Sequence, residues 1–288
     1  MYGNITELDF AGMEGRDGGP MQLIFVRRVS DNNLTGVIAA VPCTAQADEN
    51  GLYITADYWD TARKAIKEGL GNDITVLGLI RSSGDLSPHT MVDGGKLMDK
   101  IRGETGAVTM GKRIGLAIVR AAGDIIIKYG PETVYKHKTI NEPLPIWNAD
   151  KNDYEQAKKL IVELKKDEKA PLDEKMAYSA AATSIKRYES GIKEYNINLH
   201  AVRIGDVVLI TNPFELYIEY ADRIRAACPE AQVFDVELAG DECLGYLATQ
   251  KAIDAGGYST MIFSCSFDAK GGDLFVGKSI KLIMSMFE

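Results

Sequence analysis

Few features of this 288-residue chain suggest long-range charge or metal chemistry. It has three histidines, His89, His137 and His200, and no two of them have the i, i+4 spacing of a helical metal pair. Its four cysteines, Cys43, Cys228, Cys243 and Cys265, include no CxxC pair, which argues against a thiolate zinc site and a disulfide framework. No apolar run approaches the ~20 residues that a membrane-spanning helix requires. The first nineteen residues have neither a basic start nor an apolar stretch, so no secretory signal is expected and the reading is cytoplasmic. No basic run stands clear of acidic residues, and the net charge is −8. Nucleic acid and anionic membrane are therefore unfavoured partners.

With 45% hydrophobic and 26% charged residues, the chain can bury a sizeable core. Residues 22–29 and 35–41 are short β-rich runs separated by Asp31-Asn32-Asn33, the pattern of a hairpin. Asp57 is placed to cap a helix over residues 58–70, where Trp59, Ala62, Ile66 and Leu70 recur at helical spacing before Gly71. Residues 74–80 are almost continuously apolar, as in a strand covered on both faces. A largely buried helix is expected over 110–129, with Arg113, Arg120, Asp124 and Lys128 as its polar stripe, and an extended segment over 133–147. Residues 151–166 and 173–192 read as charged outer helices. Strands at 196–204 and 207–211, a helix over 213–227, a strand at 232–238 and a final helix over 278–286 complete the pattern. The alternation predicts one α/β domain, a mixed sheet flanked by helices.

Gly106 to Arg113 nearly spells a phosphate-binding loop, but Arg113 replaces the magnesium-binding hydroxyl and the preceding residues look helical. A nucleotide site is rejected in favour of a loop leading into a helix. Gly84-Asp85-Leu86-Ser87-Pro88 follows the apolar strand, a frequent place for functional loops. Ser87 is a candidate nucleophile or hydrogen-bond donor, with Gly84 and Asp85 shaping the loop, although serine needs a base to attack. A plain β-turn explains the same residues. His89 is expected on the surface, and His200 half-buried in its strand. Asn212-Pro213-Phe214-Glu215 fits a capping box with proline at the first helical position, in which Glu215 is a cap. Tyr246 and Tyr258 lie in a glycine-rich stretch with Gly245, Gly256 and Gly257, near Asp241-Glu242.

Taken in order, these segments resemble the catalytic region of the neutral/alkaline non-lysosomal ceramidases, zinc-dependent hydrolases of an N-acyl bond. The resemblance implies a catalytic serine at Ser87, zinc ligation by Glu215 and Tyr246, and a carbonyl-contacting tyrosine at Tyr258. Flanking segments agree: Ile54-Thr55-Ala56-Asp57, Gly111-Lys112-Arg113-Ile114-Gly115 and Val202-Arg203-Ile204-Gly205-Asp206. The likeness covers about residues 20–288. It implies a small-molecule or lipid-like substrate and leaves the oligomeric state open. The family's second metal histidine would fall near Val41-Pro42-Cys43, which holds no imidazole, and its first belongs to an N-terminal segment expected to be missing here. Glu215 and Tyr246, even with Cys43 recruited, form a poor zinc site, so zinc is expected to bind weakly or not at all. The alternative is a non-catalytic ligand-binding or scaffold protein that retains the hydrolase fold.

Overall fold

The computed structural model describes Gly12, Gly15 and residues 17–89, 102–125, 133–164, 169–240 and 242–288. Lys128, Asp241 and the residues just before Arg102 lie outside these. The fold is mixed α/β, and the chain divides into two compact units, Met1–Val134 and Tyr135–Glu288.

In the first unit, β1 (Gln22–Arg27) pairs antiparallel with β2 (Leu34–Val41), which pairs parallel with β3 (Thr75–Ile80). The hairpin turn uses Asn32 at φ 57° and the Asp31 carboxylate, which accepts from the Asn33 backbone N–H at 3.0 Å. Helix α1 (Tyr58–Leu70) starts where expected, because the Asp57 carboxylate accepts from the N–H of Tyr58 at 2.7 Å and of Asp48 at 2.8 Å. Trp59 lies flat over Gly78 of β3, where any Cβ would come within 2.6 Å of the indole.

Helix α2 (Gly103–Ala121) starts seven residues earlier than the sequence predicts. The near-phosphate-loop segment is thus helix interior, and the expected loop before Arg113 does not form. Its glycines have a packing reason. A Cβ at Gly111 would meet the Tyr58 carbonyl at 2.5 Å, and one at Gly115 would meet Ala65 Cβ at 2.6 Å, so these positions let α2 approach α1 closely. Only one stripe of α2 is buried, and Leu116 is exposed, so the expectation of burial around most of its circumference fails. Strand β3 differs as well: it is an edge strand, with Thr75 and Leu77 open to solvent.

The second unit is built on a four-stranded sheet in the order β4-β5-β6-β8. Here β4 (Tyr135–Pro145) runs antiparallel to β5 (Glu194–Ile204), and β5 turns through Gly205, at φ 62°, into β6 (Val207–Thr211). Helices α3 (Lys151–Leu164) and α4 (Leu172–Ser190) between them each bury one alanine, as solvated outer helices should. After β6 come β7 (Glu215–Leu216), α5 (Ile218–Ala227) and β8 (Gln232–Val236), the last parallel to β6. Then follow β9 (Tyr246–Leu247), parallel to β7, and helices α6 (Gln250–Ala255) and α7 (Ala269–Met284). Helix α7 starts nine residues before the predicted position. Its first turn carries Gly271 and Gly272, and a Cβ at Gly272 would lie 2.3 Å from the ring of Tyr220, so the helix needs glycine there to pack on α5. Phe214, Phe267 and Phe275 meet edge to face in the core of this unit.

Candidate active site

The sequence-derived candidates fall into two constellations, one in each unit. In the first unit β3 delivers the chain into a turn closed by the Leu86 N–H and the Ser83 carbonyl at 2.9 Å. Gly84 and Asp85 form its middle. Arg81, 3% exposed, fixes the entry by donating to the Pro20 carbonyl at 2.6 Å. Ser87 is exposed just beyond this turn.

His89 is not the surface residue the sequence suggested; it is 8% exposed. Its Nδ1 lies 3.3 Å from Ser87 Oγ, and its backbone N–H donates to the same oxygen at 3.2 Å. Its Nε2 lies 3.5 Å from the Ala47 carbonyl. The Glu49 carboxylate is 3.8 Å from Nδ1 and is itself bridged by Arg102 at 2.8 Å. Sequence reasoning missed this histidine because proximity to Pro88 was read as a loop signal. The usable signal was the Ser-x-His spacing, in which a hydroxyl can meet the backbone N–H and ring two residues on. Cys43, in the segment near which the resemblance would put a metal histidine, points its thiol towards its neighbour's carbonyl at 3.6 Å.

In the second unit the capping-box reading of Asn212 to Glu215 is overturned. Asn212 is 2% exposed, and its carboxamide accepts from the Phe214 N–H at 3.0 Å while donating to the Val236 carbonyl at 3.2 Å. That is an Asx turn, which carries the chain away from helix and into β7. Glu215 then pairs with β9, its N–H donating to the Gly245 carbonyl at 3.0 Å. The N–H of Leu216 is satisfied by the buried Glu237 carboxylate at 3.1 Å, and α5 begins only at Ile218.

Residues 215, 246 and 258 are brought together. Glu215 is opposite Tyr246 in the β7–β9 register. The hydroxyls of Tyr246 and Tyr258 are 2.8 Å apart, and their rings meet edge to face at 5.7 Å. Gly245, at φ 75°, makes the approach possible, since a Cβ there would lie 2.2 Å from the Ser264 carbonyl oxygen. Burial, followed by hydrogen bonds to Tyr258 and Glu215, pushes the Tyr246 phenol well above its ordinary ionisation range. A carboxylate can only accept, so Tyr246 donates to Glu215 and accepts from Tyr258. Tyr258, 57% exposed, presents the outer hydroxyl of this chain. Cys265, in a β-bridge with Gly245, is fully buried, and burial pushes its thiol up to about 12.

His137 and His200 pair with each other, Nε2 to Nδ1 at 3.2 Å, across β4 and β5. The cavity lined by Lys138, Glu142, Lys278 and Lys281, about 380 Å³, contains none of the motif residues.

Among the described residues the donor set does not fit zinc: no three His, Cys, Asp or Glu side chains come together. Where the resemblance places two ligands, one is a phenol, outside the His, Cys and carboxylate donors that zinc ordinarily takes.

No protein-family model and no curated protein matches the chain. Among solved structures it is similar to neutral ceramidase from Pseudomonas aeruginosa, with a TM-score of 0.56 at 15% identity, over 92% of this chain and 46% of that one. It is similar also to a ceramidase complexed with C2, with a TM-score of 0.56 at 13% identity, over 92% of this chain and 48% of that one. The chain thus shares the fold of these ceramidases and spans about half their length, which bears out the resemblance at the level of fold.

Proposed function

We propose that the protein hydrolyses an amide or related acyl bond in a lipid-like substrate, with Ser87 as the residue that attacks or holds the carbonyl. The observation that carries this reading is the meeting of Glu215, Tyr246 and Tyr258, three residues far apart in sequence, in a fold shared with ceramidases. A carboxylate-anchored pair of phenols is suited to acyl chemistry. Tyr246 is neutral and donates to Glu215, and the exposed Tyr258 hydroxyl, which donates to Tyr246, exchanges that bond when it meets a substrate oxygen. An apolar acyl chain suits the segment that also supplies Ala47 and Glu49, because Leu52 and Ile54 there leave their side chains wholly in water.

The test is turnover of medium-chain N-acyl p-nitroanilides and p-nitrophenyl esters. Tyr258→Phe is expected to lower kcat about 10²- to 10³-fold, the usual effect of removing one oxyanion donor, with KM little changed. Undiminished kcat in that variant would remove Tyr258 from the reaction. Wild-type protein that binds an N-acyl lipid and never turns it over would establish the binding-protein alternative instead.

A further inference from the structure

We infer that Ser87 and His89 form a nucleophile–base dyad that works without a metal. This rests on the acyl-hydrolase reading and supplies the base that Ser87 requires. The backbone carbonyl of Ala47 can only accept, so the ring nitrogen facing it, Nε2 at 3.5 Å, carries the hydrogen. That tautomer leaves Nδ1 as the acceptor, 3.3 Å from the Ser87 hydroxyl. The backbone N–H of His89 already donates to Oγ, so the hydroxyl hydrogen is free to point at the ring. The nucleophile is exposed while the base is 8% exposed, an order that lets substrate reach Oγ and keeps water from competing for Nδ1.

The chemistry closes on these groups and one water. The Ser87 proton moves to Nδ1 as Oγ bonds to the acyl carbon, and the imidazolium then returns a proton to the leaving amine or alkoxide as the C–N or C–O bond breaks. Water attacks the acyl–serine ester in the second half, its proton passing through Nδ1 and back to Ser87 Oγ. The Glu49 carboxylate, 3.8 Å from Nδ1, offsets the charge that the ring carries between these transfers, and Arg102 holds Glu49 in place.

The experiment uses protein treated with EDTA and 1,10-phenanthroline, assayed with the substrates above and with an alkyl fluorophosphonate. Expected are continued turnover, one phosphonyl adduct on Ser87, and labelling that speeds up with pH as one group loses its proton. His89→Gln, with a wild-type melting temperature, should lose about 10²- to 10⁴-fold in kcat/KM and lose that pH dependence. A histidine that only braced the loop would leave the pH profile in place. Turnover abolished by the chelators, or kept in His89→Gln, would overturn the dyad and leave the hydrolase reading standing. No turnover and no adduct, with or without added zinc, would overturn both. Should His89→Gln fail to fold, the chelated wild type decides: pH-dependent labelling of Ser87 supports the dyad, and its absence sinks it.

Discussion

The turn after β3 and the turn after β6 look alike in sequence, each a short polar stretch with a proline behind an apolar strand, yet they serve different ends. After β6 the polar side chain is buried: Asn212 spends its carboxamide on the backbone, and Glu215 is laid into a second small sheet. After β3 the turn is closed by the Leu86 N–H on the Ser83 carbonyl, and Ser87 just beyond it is exposed with a histidine against it. The lesson is where the hydrogen bonds of a loop go. A turn whose polar side chain is buried against distant backbone positions its neighbours, and one followed by an exposed hydroxyl can present a reactive group.

Substitutions in the two turns should separate them, with the largest effect in the second. Phe214→Ala removes a fully buried ring packed against Phe267 and Phe275 and should cost about 3–5 kcal/mol in denaturant unfolding. Leu86→Ala, in the half-buried first turn, should cost about 1 kcal/mol or less. Equal costs would erase the distinction. Next in size, Gly245→Ala forces a Cβ to within 2.2 Å of a carbonyl at positive φ and should cost about 2–3 kcal/mol. Gly84→Ala, outside the left-handed region, should cost much less. A Gly245→Ala protein that melts like wild type would show that β9 is not held as described.

A pH series sharpens the second constellation. The folded state keeps the Cys265 thiol proton, at about 12 against an ordinary 9.0, while the unfolded chain releases it. Stability from this group is therefore complete below about pH 9 and falls as pH rises towards 12. Cys265→Ala should flatten that decline, and an unchanged slope would mean that the thiol is not protected.

The smallest effects test what a cap is. Asp57→Ala should cost about 1–2 kcal/mol, because its carboxylate caps α1. Glu215→Gln should cost under about 0.5 kcal/mol, because Glu215 caps no helix. A large loss for Glu215→Gln would show that the Tyr246 phenol needs a charged acceptor to hold it in place.

Much of the fold was legible because local signals and tertiary structure agree there: Asp57 and Gly71 bound α1, and the β-rich runs pair as a hairpin. The failures share a cause. Gly111, Gly115 and Gly272 are each small because another element presses on them, a reason that spacing along one helix does not report. Asn212-Pro213 spells a helix start, and only the Val236 carbonyl, supplied by a distant strand, turns it into an Asx turn. The grouping of Glu215, Tyr246 and Tyr258 was foreshadowed by motif order, since spacing alone cannot report a two-residue parallel pairing. His89 escaped notice because burial of a loop residue depends on the segment at Ala47 and Glu49, some forty residues earlier.

The central claim is that an acyl group passes through Ser87. The most direct measurement mixes chelator-treated protein with a p-nitrophenyl ester, quenches it within milliseconds and maps the mass of the Ser87 peptide. The account predicts a burst of p-nitrophenol matched by one acyl group on Ser87, absent in Ser87→Ala. Steady turnover with no acylated peptide, lost when metal is removed, would contradict it.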